Sequence, residues 1–203
     1  MLVPVMTEKS ANAPAWFWLI AGPNGVGKTT YALRHLRAAI GSIHFVNLDE
    51  IARGLSPLEP RAADRSAGRV ALMRARELIR ARRTFAMETT LAGRSHLVGL
   101  VSEAEARGLR FGLLYLALPS VELCLERIRR RVTEGGHDVP EADVRRRFSR
   151  SFGNLETYRA RAAEWRIFDN RGSRPHAMAD GVFGETRFSD ADSLAAYAGL
   201  IRV

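Results

Sequence analysis

AWFWLIAGPNGVGKTT, residues 15–30, decides the fold. Residues 15–21 are apolar without alternation, the pattern of a strand buried on both faces of a parallel sheet. Gly22-Pro23-Asn24-Gly25-Val26-Gly27-Lys28-Thr29 then matches G-x-x-x-x-G-K-[ST] in full. Residues 29–40 read as a helix ended by Gly41, with Leu33 and Leu36 turned inward. Glycines let successive backbone N–H groups face an anion, and the helix that follows adds the positive end of its dipole. The segment is therefore a candidate cradle for the triphosphate of ATP, running from Gly22 to Thr30. Lys28 reaches the β- and γ-phosphates and the Thr29 hydroxyl faces Mg²⁺.

The pattern continues outward as strands alternating with helices. Strands are expected at residues 43–46, 84–87, 111–118 and 165–168, with an edge hairpin over 178–188. Helices are expected at residues 61–83, with Val70, Met73 and Leu78 on the apolar side, and at 95–107, closed by Gly108. Two more follow: one starts at Pro119-Ser120 with Val121, Leu125, Ile128 and Val132 inward, the other after Pro140 with Val144, Phe148 and Phe152 inward. A capped helix over 190–201 ends the chain. No internal repeat or linker interrupts this order, so the reading is one α/β domain over 15–203 behind a loose leader, 1–14. Its architecture is P-loop NTPase-like: a doubly wound, mainly parallel sheet with helices on both faces.

With 203 residues, 31 Lys and Arg against 22 Asp and Glu, and a formal charge of +9, the chain suits anionic partners. Only Lys9 and Lys28 are lysines; all other basic positions except the histidines are arginine. A compact ammonium at Lys28 thus stands where the composition favours a planar guanidinium, as a tight phosphate loop requires. The single cysteine, Cys124, permits no intrachain disulfide and reads as a buried packing residue. No signal-peptide core or membrane-spanning run is seen, so a cytoplasmic protein without membrane contact is expected.

The positions of the acids separate the P-loop chemistries. The strand over 111–118 ends in Leu118-Pro119-Ser120 without a carboxylate, which disfavours motor ATPases, and no lysine follows Lys28, which removes a guanine-specific N-K-x-D motif. Asp49 follows the second strand and Glu88 the third, and strand carboxyl ends line the ligand crevice of such sheets. Asp49 is the candidate general base that orients an acceptor hydroxyl; its alternative role is a helix N-cap. Glu88 and Thr90 are candidates for holding a polyol or sugar, with helix capping again the alternative. The arginines at 127–131 and 145–147, joined by Gly135-Gly136-His137, read as an arginine-rich helical lid over about 127–150 that closes on phosphates.

AGPNGVGKTT, FVNLDEIARGL, FAMETTLAG, LERIRRRVTEGGHDVPEADVRRRF and FDNRG together resemble the zeta toxin family of kinases, specifically its short members, over residues 16–171. Members of known activity phosphorylate UDP-N-acetylglucosamine on the sugar 3′-hydroxyl, and several pair with a small antitoxin. The resemblance implies that Lys28 is the phosphate-binding lysine, Asp49 the catalytic aspartate and Glu88 with Thr90 the sugar-contacting Glu-x-Thr. Arg127 or Arg131 matches the first phosphate-clamping arginine; at the second the chain offers His137, with Arg145 and Arg146 nearby.

Two other readings compete with a nucleotide-sugar kinase. A nucleotide, nucleoside or polynucleotide 5′-kinase also suits the charge and the arginine-rich helices. A non-catalytic ATP-binding regulatory module is the reading from another class, and nucleic-acid binding is disfavoured because no reading helix or aromatic stacking platform is evident.

Overall fold

The computed structural model describes residues 13–203 except 42, 43, 94 and 137. Most of the expected leader, the start of the second expected strand and His137 therefore lie outside the described residues.

The apolar run forms β1 (Trp16–Ala21), every residue of which is buried, because strands lie on both sides of it. The chain continues as α1 (Lys28–Ile40), β2 (Phe45–Val46), α2 (Leu48–Leu55), a 3₁₀ turn (Pro60–Ala63), α3 (Asp64–Arg80), β3 (Phe85–Thr89), α4 (Ser95–Ala106) and β4 (Arg110–Ala117). Then follow α5 (Val121–Thr133), α6 (Glu141–Arg159), β5 (Glu164–Asp169), β6 (His176–Val182), β7 (Glu185–Ser189) and α7 (Ala191–Ala195). The sheet order is β2-β3-β1-β4-β5-β6-β7. The first five strands are parallel; the β6–β7 hairpin adds an antiparallel edge. Helices cover both faces, so the expected doubly wound architecture is the observed one. No described helix is long and apolar enough to cross a membrane.

Strand order sets the site. β3 and β4 flank β1 on opposite sides, so the chain leaves β1 at a point where the winding direction reverses. In sheets of this kind such a point opens a crevice at the carboxyl ends of the strands.

Four expectations about packing are corrected, the first being Val132 of α5, expected inward but 38% exposed. Leu33 points outward from α1, 79% exposed, and Tyr31, Ala32 and Leu36 form the buried face instead. On α3 the buried stripe is Ala67, Ala71, Ala75, Leu78 and Ile79, while Val70 and Met73 lie exposed. Small alanines let α3 approach α2 closely, with Ala52, Ala63 and Ala67 forming their own cluster beside Ile51. The last helix spans only Ala191–Ala195; it is capped as expected by Asp190, which accepts the Ser193 N–H, but the chain turns through Gly199 at φ 78° instead of continuing the helix. Cys124 is fully buried, as read from sequence, and burial pushes its thiol up to about 12.

Candidate active site

Gly22 shows why the loop after β1 needs its glycines. Its φ of 137° lies in a region that L side chains avoid, and a Cβ there would collide with the backbone carbonyl of Leu116 in β4. The loop can therefore lie against the neighbouring strand before turning into α1, whose N-cap is Gly27. Gly22, Pro23 and Val26 form the back of the loop: the Pro23 carbonyl accepts the Lys28 ammonium at 3.0 Å, and the Val26 carbonyl accepts Asn170 Nδ2 at 2.6 Å. Asn24, Gly25, Gly27, Lys28, Thr29 and Thr30 face a cavity of about 430 Å³.

β3 lies beside β1, and this register brings Glu88 to the loop. Glu88 Oε2 accepts the Thr29 hydroxyl at 2.8 Å and Asn47 Nδ2 at 3.0 Å, while Oε1 stands 3.8 Å from Lys28 Nζ. Burial pushes the Glu88 carboxyl above the usual carboxylate range, against the pull of Lys28 and the Thr29 hydrogen bond. Burial likewise draws the Lys28 ammonium below its ordinary value, opposed by the fields of Glu88 and Asp49. A carboxylate is indeed missing at the end of β4; the one that meets the Thr29 hydroxyl comes from the strand on the other side of β1.

Asn47 was not expected here. It caps α2, accepting the N–H groups of Asp49 at 2.9 Å and Glu50 at 3.2 Å, while its amide binds Glu88. Asp49 is thus not the cap; it sits exposed in the first turn of α2 and lines the cavity. Thr90 lies beyond β3 with its hydroxyl accepting Ala92 N–H at 3.4 Å, and it is not among the residues lining the cavity.

Across the cavity, α5 contributes Arg127, Arg130 and Arg131. Arg127 donates to the carbonyls of Asn170 at 2.8 Å and Arg171 at 3.0 Å. The loop after β5 is anchored at its start by Asp169, which accepts the Arg171 side chain at 2.7 Å and the Tyr197 hydroxyl at 2.8 Å. Burial alone would raise the Asp169 carboxyl, but these bonds outweigh it and hold it below the ordinary range. Asn170, Gly172, Ser173 and Pro175 then line the cavity together with Tyr31, Arg34 and His35. These last residues had no sequence signal beyond the quoted FDNRG.

The lid expectation divides. Arg145 is paired with Glu141 at 2.7 Å and Glu122 of α5 at 3.0 Å, Arg146 and Arg147 are paired with Asp143 at 2.7 and 3.5 Å, and none of the three lines the cavity. Of the described lid arginines, Arg127, Arg130 and Arg131 line the cavity, and His137 is outside the described residues.

The donor set fits Mg²⁺. Thr29 gives its proton to Glu88 and so keeps its oxygen lone pairs for a cation, and a hard ion that retains waters and phosphate ligands needs few protein oxygens.

A family model described as AAA domain matches residues 17–153. A protein of Haemophilus influenzae is 36% identical over 127 residues, covering 63% of this chain and 88% of that one. The complex of AvrRxo1-ORF1 with AvrRxo1-ORF2 and sulphate ions superimposes with a TM-score of 0.70 at 15% identity, over 91% of this chain; this chain spans 64% of that one. The PezAT chromosomal toxin-antitoxin system of Streptococcus pneumoniae gives a TM-score of 0.67 at 17% identity, over 96% of this chain and 82% of that chain. At such identities the solved structures share the P-loop kinase-like fold. With the glycine loop, the buried lysine and two thirds of its length inside the matched region, the chain belongs to the AAA domain family.

Proposed function

We propose that the chain is an ATP-dependent kinase that transfers the γ-phosphoryl group to a hydroxyl of a small molecule, with a nucleotide sugar such as UDP-N-acetylglucosamine as the acceptor. The observation that carries this reading is the meeting of Lys28, Thr29 and Glu88 at the loop with Asp49 at the rim of the same cavity. ATP lies with its phosphates along the loop amides and its nucleoside towards the wall formed by Asn170, Pro175, Tyr31 and Arg34. Lys28 exchanges the Pro23 carbonyl and Glu88 for the β- and γ-phosphate oxygens. The Thr29 hydroxyl, donating to Glu88, would hold Mg²⁺, which would supply neutralisation of phosphate charge when bound.

Asp49 accepts the proton of the acceptor hydroxyl as its oxygen forms a bond to the γ-phosphorus, and the bond from that phosphorus to the bridging oxygen breaks to release ADP. Arg127 and Arg131 stand where they can balance charge on the transferring group. Glu88 has a different emphasis here from the sugar contact implied by the family resemblance: its burial and its Thr29 bond support a role in organising loop and metal, leaving Asp49 as the acceptor's carboxylate. The reading places the protein in the cytoplasm, where ATP and nucleotide sugars occur. The PezAT likeness supports a search for a small antitoxin partner.

The test is transfer of labelled phosphate from ATP with Mg²⁺ to a panel of nucleotide sugars, nucleosides and 5′-hydroxyl oligonucleotides. Asp49→Ala should retain ATP binding and lose transfer by about 10²–10⁴-fold. Transfer as fast as the parent's would overturn the base assignment, and labelling of oligonucleotides alone would replace the acceptor reading.

A further inference from the structure

We infer a second anion-binding cleft, for oligophosphate-bearing ligands, at the amino edge of the sheet. β1, β3 and β4 run parallel, so the residues preceding β3 and β4 gather on the edge opposite the glycine loop, about 20 Å away at roughly 3.3 Å per strand residue. Two helix-to-strand turns meet there, after α3 and after α4, and border a shallow, open surface cleft of about 560 Å³ lined by Arg80, Arg82, Glu105, Ala106, Arg107 and Gly108.

The cleft is built by a specific approach. Arg82 adopts φ 49°, which few non-glycine residues do, and Gly108 has φ 79°. A Cβ on Gly108 would stand 2.6 Å from Arg82 Nη2, so the guanidinium lies where any other residue's side chain would begin. Gly108 leaves room for the Arg82 guanidinium beside its own turn, and a Cβ there would displace only the free end of that exposed side chain.

Charge then selects the ligand. Several surface arginines are matched by carboxylates, Arg74 by Glu77, Arg76 by Glu103, Arg145 by Glu141 and Glu122 and Arg146 by Asp143. The one carboxylate of the cleft, Glu105, is engaged by Arg161. The guanidiniums of Arg80, Arg82 and Arg107 make no ion pair or hydrogen bond among the described residues, although each is exposed on one small concave surface. Three planar forks that no carboxylate binds match the several oxygens and multiple charge of linked phosphates better than a single carboxylate, which would leave two cations unpaired. Arginine at a helix C-terminus also complements the dipole, but that role needs no convergence of two turns. The cleft is independent of the reaction proposed above.

Inorganic tripolyphosphate is the probe, titrated calorimetrically at low salt into the full chain. Lys28→Ala, which weakens the glycine loop, should retain one site. Adding Arg82→Gln and Arg107→Gln to it should weaken that site by at least about tenfold per arginine removed. The Arg80→Gln/Arg107→Gln pair, which leaves Arg82 against Gly108, should give the same direction and guards against a folding effect, checked by coincident thermal melts. Binding lost completely with Lys28→Ala, or unchanged when the arginines are replaced, overturns the inference. Displacement of tripolyphosphate by hexaglutamate at equal concentration does so too, in favour of an acidic protein segment.

Discussion

Replacing Glu88 by Gln keeps the side-chain volume and isolates charge and hydrogen bonding. Thr29 Oγ1 and Asn47 Nδ2 both donate to Oε2, and Oε1 faces Lys28 at 3.8 Å. If the new amide turns its oxygen to Thr29 and Asn47, its NH₂ faces the ammonium; if it turns the other way, its NH₂ opposes two donors. Either way Lys28, 6% exposed, loses its carboxylate. Breaking a buried pair costs about 3–5 kcal/mol. The 3.8 Å separation and the surviving Pro23 bond put this case lower, at about 2–3 kcal/mol. In a domain of this size that lowers Tm by about 4–12 °C.

The assay is thermal and urea unfolding of the parent, Glu88→Gln, Lys28→Met and the double variant. Because each single change strands a buried partner, the double variant should be less destabilised than the sum, by about 1–2 kcal/mol. Phosphoryl transfer should fall in kcat more than in KM for Glu88→Gln, since the Thr29 hydroxyl loses its charged acceptor. A melt within about 1 °C of the parent, or strict additivity in the double variant, would refute the coupling drawn between Glu88 and the loop.

Gly22→Ala should cost more than about 3 kcal/mol in urea unfolding and abolish ATP binding, because its Cβ meets β4 backbone that cannot step aside. Arg145→Ala should leave transfer within about 2-fold of the parent, measured by labelled phosphate, since its exposed partners are Glu122 and Glu141 and not the cavity. Asp190 is held at about 2 by His176 and Ser193, below the 3.8 of an unperturbed aspartate. A depressed folded value stabilises above the unfolded one, so the Tm difference between parent and Asp190→Asn should be full above pH 3.8 and vanish as the pH falls through about 2.

The elements were legible where the chain carries local periodicity. Residues 15–30 predict strand, loop and helix, and the alternation that follows predicts the parallel sheet, because a buried strand or an amphipathic helix is written in neighbouring residues. Where small residues do the packing, the same reading fails. Val70 and Met73 outrank alanine in apolarity, yet the contact of α3 with α2 depends on how closely backbones approach, which Ala67 permits beside Ala52, while Ala71 and Ala75 are buried in the main core. The arginine-rich helices likewise read alike in sequence, and only their neighbours separate Arg127 and Arg131, at the cavity, from Arg145 and Arg146, bound to carboxylates.

By itself, then, the sequence determined a phosphate-cradling loop on a doubly wound sheet, and it singled out Lys28, Thr29, Asp49 and Glu88 as its polar chemistry. Tertiary structure decided what those groups do to one another. Glu88 meets Thr29 across 59 residues because β3 pairs with β1, and Asn170 binds the Val26 carbonyl across 144 because β5 ends beside the loop. Such contacts depend on strand order and register, which arise from burying the whole core at once and leave no mark in any short stretch of chain.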